Sequence, residues 1–177
     1  MIYFVRHGQT DDNANGNLLT GWSDTPLNKN GIEQAKETAK NLKTINFEIC
    51  FCSPLLRARQ TLDEIKKYHK NLKVIFDDRL KERDYGEITK KPAGICNFRR
   101  WNANDKIPFK MESIPEMFKR VASFYDDLKK DYIGKNILIV SHSGVGRLSY
   151  FYFNGKPQDG DYSDFKIDNA KVMELVF

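Results

Sequence analysis

Apolar residues fall along this chain in two alternating rhythms. Short runs, Ile2–Val5, Glu48–Cys52 and Val74–Phe76, are β-rich and bounded by polar or turn residues, as strands are. Ile137–Val140 is apolar at every position, which predicts a strand covered on both faces. Between these runs the period lengthens. Ile32, Ala35, Ala39 and Leu42 recur at helical spacing, which predicts a helix from a cap at Asn28 to about Leu42. Leu55, Ala58, Leu62 and Ile65 do the same over a helix to about Tyr68, with Ser53 as its cap and Pro54 at its first position. Ser113-Ile114-Pro115-Glu116 reads as a capping box. The helix it opens carries Met117, Phe118, Val121, Tyr125 and Leu128 on one face. A helix over about Gly144–Phe153 and a last strand over Lys171–Phe177 complete the pattern.

Strands alternating with helices predict an α/β fold: a three-layer α/β/α sandwich around a mostly parallel sheet. Residues 88–111, with Pro92, Gly94 and Pro108, lack a clear period and read as an irregular lid. No repeat or linker divides the chain, so 1–177 is expected to form a single domain.

Composition narrows the classes. The 177 residues are 40% hydrophobic and 30% charged, as in ordinary globular proteins. No stretch is long enough to span a bilayer, and Ile2–Val5 has neither the basic segment nor the cleavage pattern of a leader, so a cytoplasmic protein without membrane partners is expected. Cys50 and Cys52 share one face of a strand with Cα atoms roughly 6.5–7 Å apart, at or beyond disulfide reach. Cys96 stands alone, no Cys-x-x-Cys pair is present, and no metal site is suggested. The net charge of +5 comes from 29 Lys and Arg against 24 Asp and Glu. The basic residues are interspersed with acidic ones, so a solvated surface explains them better than nucleic acid does.

The candidate chemistry lies where strands end. The first strand runs into Arg6-His7-Gly8, the second into Ser53-Pro54-Leu55-Leu56-Arg57, and the Ile137 strand into Ser141-His142-Ser143-Gly144. Ligands bind at the carboxyl edge of such sheets, and arginines with helix N-termini at that edge suit a phosphate group. A neutral imidazole is a competent nucleophile, and neighbouring guanidinium groups keep it unprotonated. A departing alkoxide needs a proton, and Glu82, on the Arg79–Gly86 segment after the third strand, is the candidate acid. An approaching phosphate dianion favours its protonated form. Asp84 and Glu87 are the competing carboxylates. His69, among lysines at a helix end, and Arg59, which faces away from Arg57, are assigned no role.

The ordered segments Phe4-Val5-Arg6-His7-Gly8-Gln9-Thr10, Thr20–Leu27, Ser53–Thr61, Leu80–Glu87, Glu112-Ser113 with Arg120, and Val140–Gly144 resemble the histidine phosphatase superfamily, which holds phosphoglycerate mutases and phosphomonoesterases. The resemblance covers nearly the whole chain. It implies His7 as a nucleophile that becomes phosphohistidine; Arg6, Arg57 and His142 as ligands of the phosphoryl oxygens; and Glu82 as acid and then base. It implies Asn13, Thr20, Gly21, Ser143 and Gly144 as lining of the substrate pocket. The short stretch from Tyr85-Gly86 to Arg99-Arg100, with Phe98 and Trp101, looks more like the small phosphatases than the mutases. A short lid admits water, which favours hydrolysis over transfer back to substrate. The expected activity is that of a metal-independent phosphomonoesterase for a small phosphorylated metabolite, acting as a monomer or homodimer. The alternatives are a phosphoglycerate mutase, which alone would need 2,3-bisphosphoglycerate, and a non-catalytic phosphate-binding module. Departures at Ile88–Pro92, Met111 and Ser143 lie around the pocket mouth. Lys90, Lys91, Arg99, Arg100, Lys106 and Lys110 there are candidates to hold a second anionic group of the substrate.

Overall fold

A computed structural model describes residues 1–14, 18–96 and 100–177. The Phe98 and Arg99 expectations lie outside these described residues. Five strands, β1 (Ile2–Arg6), β2 (Ile49–Cys52), β3 (Val74–Phe76), β4 (Ile137–Ser141) and β5 (Val172–Leu175), form one sheet in the order β3-β2-β4-β1-β5. All neighbours are parallel except β5, which runs antiparallel to β1. The helices are α1 (Asp11–Ala14), α2 (Lys29–Leu42), α3 (Leu56–Lys66), α4 (Ile114–Asp131) and α5 (Ser143–Asn154).

Because side chains alternate across a strand, each strand supplies both faces of the sheet. Val5, Cys50, Cys52, Leu138 and Val140 pack with Ala39 and Leu42 of α2 and Ala58, Leu62 and Ile65 of α3. Phe4, Ile49, Phe51, Ile137 and Ile139 point the other way, onto Met117, Val121 and Phe124 of α4 and Val145 and Leu148 of α5. This is the three-layer α/β/α arrangement, and β4, at the centre, is buried at all five positions. The three cysteines are free, and Cys50 and Cys52 are buried. Among the described residues, no helix is long and apolar enough to cross a membrane.

Two helix starts behave differently. The α4 capping box forms as read: Ser113 Oγ accepts from Glu116 N and the Glu116 carboxylate accepts from Ser113 N. At α3 the cap is not Ser53. The helix begins at Leu56 after Leu55 in extended conformation, and the Leu56 amide donates to Asp24 Oδ1 at 2.6 Å. Ser53 has another partner, as described below. The C-terminal end also comes earlier than Tyr68, at Lys66.

Register decides where the candidate residues emerge. Arg6 pairs with Ser141, and Cys52 with Val140. Strands β1, β2 and β4 therefore end level with one another, and His7, Ser53 and His142 leave the sheet side by side. The segment 77–88 that follows β3 crosses the same edge as two single 3-10 turns, Asp78–Leu80 and Gly86–Ile88.

Candidate active site

His7 is nearly fully buried. Its amide donates to Ser141 O at 2.9 Å, and Asn169 Nδ2 and the Ala170 amide donate to its carbonyl. The ring is fixed as firmly as the backbone. Nδ1 lies 2.7 Å from Gly8 O, and since a carbonyl only accepts, the proton sits on Nδ1 and the Nε2 lone pair is exposed to the site. Gly8 is required: a Cβ there would come within 2.3 Å of Gly31 O. Burial first, then the charges of Arg57 and Arg6, hold the imidazole well below its usual value, so His7 is neutral at pH 7.

Arg57 explains why a cation stands in the first turn of α3, against the helix dipole. Its Nη1 and Nη2 donate to Ser23 O and Gly21 O, both at 2.8 Å, and Nε donates toward His7 Nε2 at 3.3 Å. Burial lowers this guanidinium to about 10, still charged at neutral pH. Arg6 is held through Nη1 to Ile167 O at 2.8 Å, while its buried Nε has no partner among the described residues. His142 stands beside His7 with the ring centroids 5.1 Å apart. Its Nε2 lies 2.7 Å from Ser53 Oγ, and its buried Nδ1 likewise has no partner among the described residues. That contact takes the Ser53 hydroxyl away from the start of α3.

Of the three competing carboxylates, the structure puts only Glu82 on the cavity wall. Its Oε1 accepts from Arg83 N at 2.8 Å and its Oε2 from Gly144 N at 3.1 Å. Asp84 instead accepts from Gly86 N, and Glu87 pairs with Lys110. The Glu82 backbone is anchored in turn, its carbonyl accepting from Trp22 Nε1 and from Arg120, which is paired with Glu112. Arg79, on the same segment, turns away to Asp77 and Asp127.

The cavity these groups surround is small, about 270 Å³. Asn13, Thr20, Gly21, Ser143 and Gly144 line it together with Arg6, His7, Arg57 and Glu82, and the His142 ring packs against His7. The ten residues singled out in the sequence thus meet at one place. Of the described basic residues around the lid, only Arg100 reaches this wall. Lys90 is paired with Asp12, Lys110 with Glu87, and Lys91 and Lys106 do not line the cavity. Sequence reasoning missed Arg147 and Lys166. Arg147 stacks its guanidinium 4.6 Å from the centre of the Trp101 ring, and it is the one charged residue of α5. A lone buried cation in an otherwise apolar helix was the available signal. Five cationic side chains, Arg6, Arg57, Arg100, Arg147 and Lys166, therefore face the cavity against one carboxylate among the described residues. Such a lining is complementary to an anion of more than one negative charge and places a neutral imidazole and a carboxyl group beside it.

Comparison with known proteins agrees with this chemistry. Residues 2–177 match the family model described as the histidine phosphatase superfamily (branch 1). The chain is 35% identical to an uncharacterized phosphatase, PhoE, of Bacillus subtilis, over 99% of this chain and 88% of that protein. It is 40% identical to a 2,3-bisphosphoglycerate-dependent phosphoglycerate mutase of a Methylobacterium species, over 88% and 81%. Among solved structures, phosphoserine phosphatase of Entamoeba histolytica in complex with 3-phosphoglyceric acid superimposes with a TM-score of 0.83 at 29% identity, covering 97% of this chain and 87% of that one.

Proposed function

The chain belongs to the histidine phosphatase superfamily, and from that premise we propose that it is a metal-independent phosphomonoesterase that works through a phosphohistidine on a small phosphorylated metabolite. The observation that carries this reading is the state of His7: a buried, neutral imidazole with its proton fixed on Nδ1 and its Nε2 between guanidinium groups.

The reaction has two halves. A phosphoryl group enters against Arg6, Arg57 and the His142 Nδ1, and takes over the Arg57 Nε donor that now faces His7. Nε2 attacks phosphorus, the ester P–O bond breaks, and the leaving alkoxide takes the proton of Glu82. Water then gives a proton to the Glu82 carboxylate while its oxygen attacks phosphorus, the P–N bond breaks, and inorganic phosphate departs. The arginines supply the charge compensation that a metal supplies elsewhere. Asn13, Thr20, Gly21, Ser143 and Gly144 shape the pocket around the phosphoryl group.

Size and charge bear on the substrate. A cavity of about 270 Å³ suits a phosphoryl group with a short carbon skeleton. A phosphate dianion neutralises only part of the five cations, so a substrate with a second anionic group, such as a carboxylate, is the better fit. The short lid admits water and favours hydrolysis over mutase chemistry.

The test is hydrolysis of p-nitrophenyl phosphate in excess EDTA. The expected result is turnover that EDTA leaves unchanged and vanadate inhibits, lost in His7→Ala, with 32P from labelled substrate trapped on His7 by alkaline quench, where the P–N bond survives. Loss of activity in EDTA, or full activity in His7→Ala, would refute the mechanism. Interconversion of 2- and 3-phosphoglycerate faster than their hydrolysis, in the presence of 2,3-bisphosphoglycerate, would favour the mutase.

A further inference from the structure

Lys90 has a backbone conformation that suits glycine, with φ +66°, and no other observation explains a lysine there. Its side chain does. Nζ reaches Oδ2 of Asp12 at 2.5 Å and also contacts Thr25 Oγ1. Asp12 is buried, and the same Oδ2 accepts from Thr25 Oγ1 at 2.8 Å. Burial alone raises this carboxyl. Hydrogen bonds from Lys90, Thr25 and Thr20 together with the Lys90 charge outweigh that and hold it below its ordinary value. The backbone adds to the junction: Lys90 N donates to Leu19 O at 2.8 Å, Leu19 N donates to Lys91 O at 2.9 Å, and Leu18 bridges to Pro92.

Each of these attachments leads to a wall of the phosphate site. Asp12 precedes Asn13, and Thr20 and Gly21 follow Leu19; all three line the cavity. Thr25 closes the 21–25 segment whose Gly21 and Ser23 carbonyls hold the Arg57 guanidinium. We propose that Lys90 is a positioning residue for phosphoryl binding: through Asp12 and Thr25 it clamps the 88–92 stretch of the lid to Asp12 and the 18–25 segment and so fixes Asn13, Thr20 and, by way of Gly21 and Ser23, Arg57. An ion pair between exposed groups contributes little. This one differs because its carboxylate is buried and shared among several donors, so losing the cation leaves a buried charge to be relieved by movement of the wall.

This inference rests on the phosphomonoesterase reading, and the experiment separates the two. Lys90→Met, Lys90→Gly and Lys90→Arg are compared for kcat, KM, competitive inhibition by inorganic phosphate, phosphate affinity by calorimetry, and Tm. In Lys90→Met, KM and the phosphate Ki rise about tenfold while kcat falls less than threefold, because His7 and Glu82 keep their own supports. Lys90→Gly shows the same weakening with a Tm above that of Lys90→Met, since both lose the cation and only glycine accepts the φ of +66°. Lys90→Arg restores most of the affinity by restoring the cation. Wild-type KM and phosphate affinity in both Met and Gly variants would overturn the proposal, as would an Arg variant as weak as the Met variant. Failure of the wild type to hydrolyse any phosphomonoester would refute the catalytic reading instead, and calorimetric phosphate affinity across the three variants would still decide the role of Lys90.

Discussion

Replacing Gly144 by alanine is the sharpest perturbation the site allows. Gly144 lies in the first turn of α5, where alanine is the better helix former by about 1 kcal/mol, so the helix itself has no reason to fail. The added methyl is the problem. It would lie 2.1 Å from Glu82 Oε1, 2.8 Å from the Trp101 ring and 3.1 Å from the Met117 methyl. Relief requires the Glu82 carboxylate to retreat by roughly 1 Å, which also breaks its hydrogen bond from Gly144 N. A displacement of that size in a reacting group costs about 10²-fold, within the range of about 10²–10⁴ that a general acid supplies. The assay compares two substrates. p-Nitrophenolate departs readily without a proton, whereas the alkoxide of glycerol phosphate does not. Gly144→Ala should lose about 10²-fold in kcat/KM on glycerol phosphate and less than about tenfold on p-nitrophenyl phosphate, with Glu82→Gln showing the same bias; kcat/KM is the readout because it reports cleavage of the ester and not the later attack of water, which the two substrates share. Equal losses on both substrates, or no loss on either, would refute the assignment of Glu82 as the proton donor and the steric argument with it.

Two further outcomes follow from the buried histidines. Ser53→Ala should change the protonation site of His142: Nε2 and Ser53 Oγ lie 2.7 Å apart, and a hydroxyl that donates there places the His142 proton on Nδ1, where a phosphoryl oxygen is to be bound. ¹⁵N NMR should show that tautomer in the wild type and a mixture in the variant, with weaker phosphate affinity; an unchanged tautomer would rule the serine out as its determinant. Stability should rise with pH near neutrality. Burial, then the Arg57 charge, hold His7 and His142 well below the ordinary 6.5, so between those lowered values and 6.5 the unfolded chain binds more protons than the folded one. The stabilisation is complete above 6.5 and is lost on acidification, by about 1.4 kcal/mol per pH unit for each histidine. Denaturation at pH 5.5 and 7.5 checks this, and His142→Gln should reduce the slope by about half.

The parts of this molecule that follow a period were legible from sequence. The both-faced burial of β4, the α2 stripe and the α4 capping box depend on local spacing, and the structure repeats them. So does the meeting of His7, Arg57 and His142, because parallel strands that end level must deliver their next residues to one edge. What was misread depends on tertiary partners. Ser53 has the residue type and spacing of a cap, but a histidine 89 positions away takes its hydroxyl. The lysines around His69 mark it as a helix-end residue without a role, yet its ring packs edge-on against Phe47. Lys90 and Lys110 looked like free cations around a pocket and prove to be spent on Asp12 and Glu87. Arg147 and Lys166 lie outside every strand-end segment, and only the folded chain brings them to the cavity.

The hold on His7 carries a consequence for assembly. Arg6 is tied to Ile167, 161 positions along the chain, and the His7 carbonyl to Asn169 and Ala170. On a ribosome the imidazole is made long before the groups that hold its backbone. The proposed phosphoryl chemistry therefore waits for the 167–170 segment to dock beside β1, and a nascent chain halted short of it carries the ring without that support.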